Sequence, residues 1–313
     1  MGQQIAYRLL LSVPVLLGVL VFGFLLLKLA PGDPAMVVAG PSATPDVVEQ
    51  IRKEMGLDQP TLVQFWRYIS RVAQGDLGRS MINNTSVAEE LALAMVATAE
   101  LMIACLAWAV PAGIAMGTIA AVFQRGLIDR VVMAFSVAGV SMPVFFIGLL
   151  LMQYLGYKWQ LLPFLGRGGP LWTLEGLRHI TLPAMTLGFI FVGPVARMTR
   201  ASVLDVLKAD FIRTARAKGL REKTVIIRHA LRNALIPVVT LVGLQAGYLL
   251  GGAVVTESIY SWPGVGRLAV GAILASDMPL AQGAILSLAI AFLIINLIVD
   301  LLYGLLDPRV QHR

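Results

Sequence analysis

Six long apolar runs alternate with polar segments along the chain. Residues 9–30, 91–123, 131–157, 180–196, 233–256 and 278–299 carry two charges in all, Lys28 in the first run and Glu100 in the second. A membrane-spanning helix needs about 20 mainly apolar residues, so the pattern predicts six transmembrane helices. The 180–196 run is short, and its helix is expected to recruit flanking residues or to pack inside the bundle. Pro14, Pro111, Pro143, Pro183, Pro194 and Pro237 fall within the runs. In a bilayer they are tolerated, because neighbouring groups re-satisfy the carbonyls they free. The first run exceeds the apolar core of a signal peptide and lacks an Ala-x-Ala cleavage pattern, which reads as a retained helix.

Two polar segments carry most of the remaining pattern. Residues 31–90 open on Pro31-Gly32-Asp33-Pro34, a turn signal. Val47, Val48, Ile51 and Met55 after Pro45-Asp46 predict a short amphipathic helix, with Asp46 and Glu49 spaced as in a capping box. Leu62, Phe65, Trp66, Ile69 and Val72 predict a second helix over 60–74, closed by Gly75-Asp76-Leu77-Gly78. A surface lid and a docking face for a delivering partner both fit this segment. In residues 197–232, Phe211, Ile212, Ala215 and Leu220 fall near helical spacing, with Lys218 in the last turn and Gly219 near the C-cap. A further helix over 222–234 carries Val225, Ile226, His229, Ala230 and Asn233, and Pro237 is expected to start the next span. This pair of helices reads either as a basic surface element or as a protrusion that plugs into a partner.

Composition agrees with the pattern. Of 313 residues, 58% are hydrophobic and 14% charged, against about 25% charged in soluble domains, and the mean hydropathy is +0.79. An ordinary soluble enzyme is excluded. With six spans, fifteen Lys and Arg residues fall on the side that holds both termini and nine on the other, so both termini are expected in the cytoplasm. Residues 31–90 hold eight acidic and five basic residues, which suits the outer face. The net charge of +7 does not indicate nucleic acid, since ten of the 25 basic residues sit in 197–232 without interleaved aromatics.

Chemistry-bearing groups are sparse. Cys105 is the sole cysteine, forms no intrachain disulfide and reads as a buried inert thiol. His179, His229 and His312 lack metal-ligand spacing, and no Gly-x-Ser-x-Gly elbow is present. An intramembrane enzyme would need paired carboxylates or a nucleophile at mid-span, and a secondary transporter would need inverted repeats and a mid-membrane ionisable residue. Neither pattern is visible. Glu100, Gln153, Asn296 and Asp300 are polar groups in apolar runs; Glu100 and Asp300 lie near span ends, where structural hydrogen bonding or snorkelling accounts for them. No Gly-x-x-x-x-Gly-Lys-Ser/Thr loop occurs, so ATP-driven work would require a separate ATPase chain. Gly243, Gly247 and Gly251 recur every four residues, a small-residue face suited to close helix packing within the chain or against a neighbour.

The ordered set Arg8-Leu9-Leu10, Pro31-Gly32-Asp33-Pro34, Leu57-Asp58-Gln59-Pro60, Gly75–Gly78, Asp210–Leu220, His229–Pro237, Ser261–Arg267, Asp300–Tyr303 and Asp307-Pro308-Arg309 carries a resemblance. The chain resembles, over essentially its whole length, the first permease subunit of bacterial ATP-binding-cassette importers for dipeptides and oligopeptides, a group that includes nickel and glutathione systems. The resemblance implies an all-α type I importer permease with six transmembrane helices in the inner (cytoplasmic) membrane. It divides the chain into residues 1–30 (tail and first helix), 31–90 (extracytoplasmic segment), 91–306 (permease core, with a coupling segment at 205–232) and 307–313 (tail).

The family's cytoplasmic Glu-Ala-Ala…Gly motif falls on Arg213, Thr214, Ala215 and Gly219, so its glutamate is absent here. Asp210, Arg213, Thr214, Ala215, Gly219 and His229 are therefore the expected ATPase-coupling residues, with His229 capping or packing within the protrusion. Gln245 and Tyr248, beside Gly243, Gly247 and Gly251, are candidate pore or packing positions. The implied partners are a second permease, two ATP-binding subunits that hold ATP and magnesium, an external solute-binding protein and the lipid bilayer, with no nucleic acid. The permease itself binds no cofactor and is no enzyme. Dipeptides or oligopeptides are the first expected substrate, ahead of glutathione and nickel chelates.

Overall fold

A computed structural model describes residues 2–29, 33–40 and 42–306. Pro31, Gly32, Asp307, Pro308, Arg309, His312 and Arg313 lie outside the described residues, as do the side chains of Arg8 and Asp300. Among those described, every extended element is a helix, and a single isolated bridge joins Arg79 to Ser86. In chain order the helices are α1 (Gly2–Leu29), α2 (Pro34–Ala39), α3 (Pro45–Glu54), α4 (Thr61–Ala73), α5 (Val87–Val122), α6 (Leu127–Ser141), α7 (Val144–Leu151), α8 (Leu174–Val206), α9 (Asp210–Ala217), α10 (Glu222–Thr224), α11 (Arg232–Ile259), α12 (Val265–Leu274) and α13 (Met278–Leu306). Two π-helical turns, Met152–Lys158 and Val225–Leu231, extend α7 and precede α11.

Among the described residues, four helices are long and apolar enough to cross a membrane: Val87–Val122, Leu174–Val206, Glu222–Ile259 and Met278–Val299. The α6–α7 pair is a fifth if its bent halves form one span, and α1 contains the shorter apolar stretch Leu10–Leu25. The span expected over 131–157 with Pro143 tolerated inside it is bent, not continuous. Its two halves meet at 105°, because Pro143 clashes with a helical predecessor and Met142 adopts extended backbone at φ −85°, ψ 132°. Pro14, Pro111, Pro183, Pro194 and Pro237 do lie inside continuous helices. The short 180–196 run recruits flanks on both sides and becomes the 33-residue α8. Pro237 does not start a span: the helix runs unbroken from Glu222 to Ile259 through the π turn.

The chain divides into two compact units, and α5 and α13 contribute to both. One unit comprises Glu100–Tyr260 with the chain from Ile295 onward. α8 is its most enclosed helix, with 67% of its most apolar window buried. Trp108 Nε1 on α5 donates to Ala184 O on α8 at 2.9 Å. A Cβ at Gly117 would run into Ala196 O and stand 3.0 Å from the Arg200 amide nitrogen, so the α5 and α8 backbones touch there only because the residue is glycine. Tyr260, fully buried, donates its hydroxyl to Gly148 O at 3.0 Å and shares a 2.8 Å hydrogen bond with Thr186.

The other unit comprises Gly2–Ala99 and Ser261–Ile294. α4 lays Phe65, Tyr68, Ile69 and Val72 on Leu20, Phe24 and Leu286, with the Phe24 and Phe65 rings 5.2 Å apart. Burial pushes the Tyr68 hydroxyl pKa up to about 12. Leu62 and Trp66, on the same predicted apolar face, do not join this cluster: they are 80% and 70% exposed. The capping box at α3 is also corrected. Thr44 is the N-cap and makes no side-chain bond, while Glu49 pairs with Arg52 at 3.3 Å. α12 has no counterpart in the sequence reading. It is seated by Trp262 Nε1 donating to Ala97 O at 2.8 Å and by the Val265 amide donating to Thr98 Oγ1 at 2.9 Å. Val87, Leu91, Ala94, Val265, Ala269, Ala281 and Ala284 form the adjoining core.

Gly117→Val is expected to force α5 off α8 and cost about 1–3 kcal/mol, read as a lower melting temperature in detergent. Gly251→Ala, where a Cβ meets open space, should leave the melt unchanged.

Candidate coupling and pore surfaces

The segment after α8 folds into a helical protrusion because its apolar residues are few and correctly spaced. Ile212 and Ala215 on α9 meet Val225 and Ala230 of the π turn, with Val206 and Leu207 packed alongside. Gly219 closes α9 at φ 77°. Its amide donates to Arg216 O at 2.9 Å and the Leu220 amide to Ala215 O at 3.4 Å, the paired bonds of a Schellman ending that favours glycine at this position. Arg216 then grips Glu222 with both nitrogens, at 3.1 and 2.6 Å. This clamp, six residues apart and across a turn, has no periodic signature and was not legible in the sequence.

Asp210, Arg213 and Thr214 are neighbours on α9 and exposed, and Gly219, also exposed, lies beyond the end of that helix. Asp210 and Arg213 face each other at 3.5 Å, and the Thr214 hydroxyl donates to Asp210 O at 3.1 Å. Ala215 points the other way, into the packed base. His229 lies half-buried in the π turn, where its carbonyl accepts from Asn233 Nδ2 at 2.7 Å. Phe211 is exposed although it sits beside the apolar Ile212.

The glycine stripe on α11 does not act as one face. Gly243 is buried, and a side chain there would collide with Val299. Gly247 is also buried, whereas Gly251 faces open space. Gln245 is half-buried and Tyr248 is 77% exposed. Intrachain packing thus accounts for Gly243, while Tyr248 and Gly251 remain available to a neighbour or a path.

Two carboxylates on the apolar helices, Glu100 and Asp129, each meet an arginine. Glu100 receives both Arg167 nitrogens at 2.8 Å. Asp129 receives Arg200 at 2.6 and 2.7 Å and the Arg125 amide at 2.9 Å. These bidentate pairs give Glu100 the structural role expected for it. Gln153 and Asn296 are exposed and half-buried respectively.

These helices define a polytopic membrane protein, and sequence comparison gives its family. Residues 113–312 match the family described as binding-protein-dependent transport system inner membrane component, and residues 1–102 match the N-terminal membrane component of such systems. The chain belongs to this family: it is an importer permease of the ATP-binding-cassette type, with the all-α type I fold, in the group of dipeptide, oligopeptide and glutathione systems. It is 45% identical over 313 residues, all of both chains, to a glutathione transport system permease protein of Escherichia coli O6:H1. The same identity over the same span holds for the protein of that name in Salmonella paratyphi A. The Pectobacterium atrosepticum protein of that name is 44% identical over 306 residues, 98% of each chain.

Arg200→Met should destabilise the protein by about 3 kcal/mol, since it leaves the buried Asp129 carboxylate unpaired. Adding Asp129→Leu should recover most of that loss. Denaturant melts of the two variants and the wild type give the comparison directly.

Proposed function

We propose that this permease forms half of the translocation pore of an ATP-driven importer whose cargo is glutathione or a peptide of similar size. The observation that carries the cargo assignment is the full-length similarity, at 44–45% identity, to permeases named for glutathione transport. Dipeptides, the first expectation from sequence, become the competing substrate, with nickel chelates behind. The apolar helices place the chain in the membrane. In the proposed orientation both termini and residues 205–232 face the cytoplasm, and residues 31–90 face outward.

The protrusion is the proposed coupling element. Asp210, Arg213, Thr214 and Gly219 offer a small polar surface on a packed base, which suits insertion into a cleft of an ATPase subunit. ATP and magnesium would be bound by two such subunits and not by this chain. A second permease would complete the pore, an external solute-binding protein would deliver cargo, and ATP binding would bias the assembly between inward- and outward-facing states. Gln245 and Tyr248, with Gly247 and Gly251, are the proposed path or contact positions of α11, supported by the exposure of Tyr248 and Gly251.

Proteoliposomes holding the complete transporter, its binding protein and internal ATP should accumulate labelled glutathione faster than a labelled dipeptide. Preference for the dipeptide would return the substrate to the peptide class, and transport without any ATPase would overturn the importer mechanism. Gly219→Trp, which places a bulky side chain at φ 77°, and Arg213→Glu should each leave membrane insertion intact while ATP hydrolysis no longer drives uptake. Unchanged coupled uptake in both variants removes the docking surface.

A further inference from the structure

A cavity of about 510 Å³ opens beside α4, within the range of small-ligand sites. α1 supplies Phe24, the turn after α3 supplies Met55 and Gly56, and the start of α13 supplies Met278 and Gln282. α4 contributes Trp66, Arg67 and Arg71. Arg67 and Arg71 stand one helical turn apart and point into the same space. Neither has an ion pair or hydrogen bond through its side chain among the described residues, and no carboxylate lines the cavity.

Both guanidiniums are seated against glycines with left-handed backbone. A Cβ at Gly56 (φ 68°) would lie 2.6 Å from Arg67 Nη1, and one at Gly78 (φ 80°) would lie 4.0 Å from Arg71 Nη1. The lining also holds the apolar side chains of Phe24, Met55, Met81 and Met278. Phe24 lies near the end of the α1 apolar stretch, and Met278 opens that of α13. The cavity therefore joins two unpartnered cations to apolar side chains where hydrophobic helices begin and end.

We propose that this cavity binds an anionic amphiphile: a phosphate or carboxylate held by Arg67 and Arg71, with its apolar body against Phe24 and Met278. Guanidinium forks match both anions bidentately, and paired basic side chains beside a membrane helix recognise anionic headgroups. Two sources offer this chemistry, an anionic phospholipid and the carboxylate of a transported peptide. The second rests on the cargo reading above; the first does not.

The test uses the complete transporter in nanodiscs. With phosphatidylglycerol present, native mass spectrometry should find that lipid retained by wild type and by Arg67→Lys/Arg71→Lys. Retention should be about tenfold lower in Arg67→Gln/Arg71→Gln, which removes two charge-assisted contacts. Lys53→Gln, an exposed cation outside the cavity, should retain lipid as wild type does.

In phosphatidylcholine alone, binding of labelled glutathione that is lost in Arg67→Gln/Arg71→Gln but kept in Lys53→Gln would assign the site to cargo. If the glutamine variant does not assemble, brominated lipid replaces it. Brominated phosphatidylglycerol should quench wild-type fluorescence more than brominated phosphatidylcholine does, and that excess should vanish in Trp66→Phe. The proposal is overturned if the glutamine variant matches Lys53→Gln in both lipid retention and glutathione binding. Where the variant cannot be made, the overturning result is equal quenching by the two lipids. Lipid retention does not depend on which cargo is transported, so failure of the cargo reading leaves that readout intact.

Discussion

A charge carried into an apolar helix has to meet its counter-charge there, because neither lipid nor a packed interior replaces the water it loses. This constraint organises much of the molecule. Glu100 is held by Arg167 from the loop before α8, and Asp129 by Arg200 from α8 itself. Asp277 accepts from the Ser80 hydroxyl and from the Met81 amide at 3.2 Å, which joins the loop before α5 to the start of α13. Each contact ties residues far apart in sequence and so fixes the fold; the two arginine pairs also cancel a charge, while Asp277 is solvated by neutral donors. Glycine does the complementary work where no charge is present, by letting α5 approach α8 at Gly117.

Much of this was legible in the sequence because the bilayer imposes a strong pattern. The long helices, the extension of α8 beyond 180–196, the two amphipathic helices of residues 31–90 and the glycine ending of α9 all follow from run length, spacing and turn chemistry. The misses share a cause. Pro143 and Pro237 are the same residue type in similar apolar surroundings, yet one ends a helix and the other does not. Local sequence does not say whether neighbouring groups will support a proline. Leu62 and Trp66 fit an apolar stripe, but which part of that stripe meets α1 depends on how α4 lies. α12 escaped notice because its ten residues are too few to span and its anchors, Ala97 and Thr98, are distant in sequence.

For the protrusion, spacing at α9 gave the exposed residues Asp210, Arg213 and Thr214 and the inward Ala215 that holds the helix down, and Gly219 ends the helix. The Arg216–Glu222 clamp was invisible, since a contact across a turn leaves no period. For α11 the four-residue glycine spacing could not say which glycine meets a neighbour. Val299 decides that for Gly243.

The unbroken helix from Glu222 to Ile259 has a mechanical consequence. Thirty-eight residues at the α-helical rise make a rod about 57 Å long. One end carries the base of the protrusion, and the other ends beside the buried Tyr260. A tilt of about 5° at the base would sweep the far end through about 5 Å. Such a rod would carry a small angular input at one end into a displacement of atomic size at the other, without any helix having to unfold.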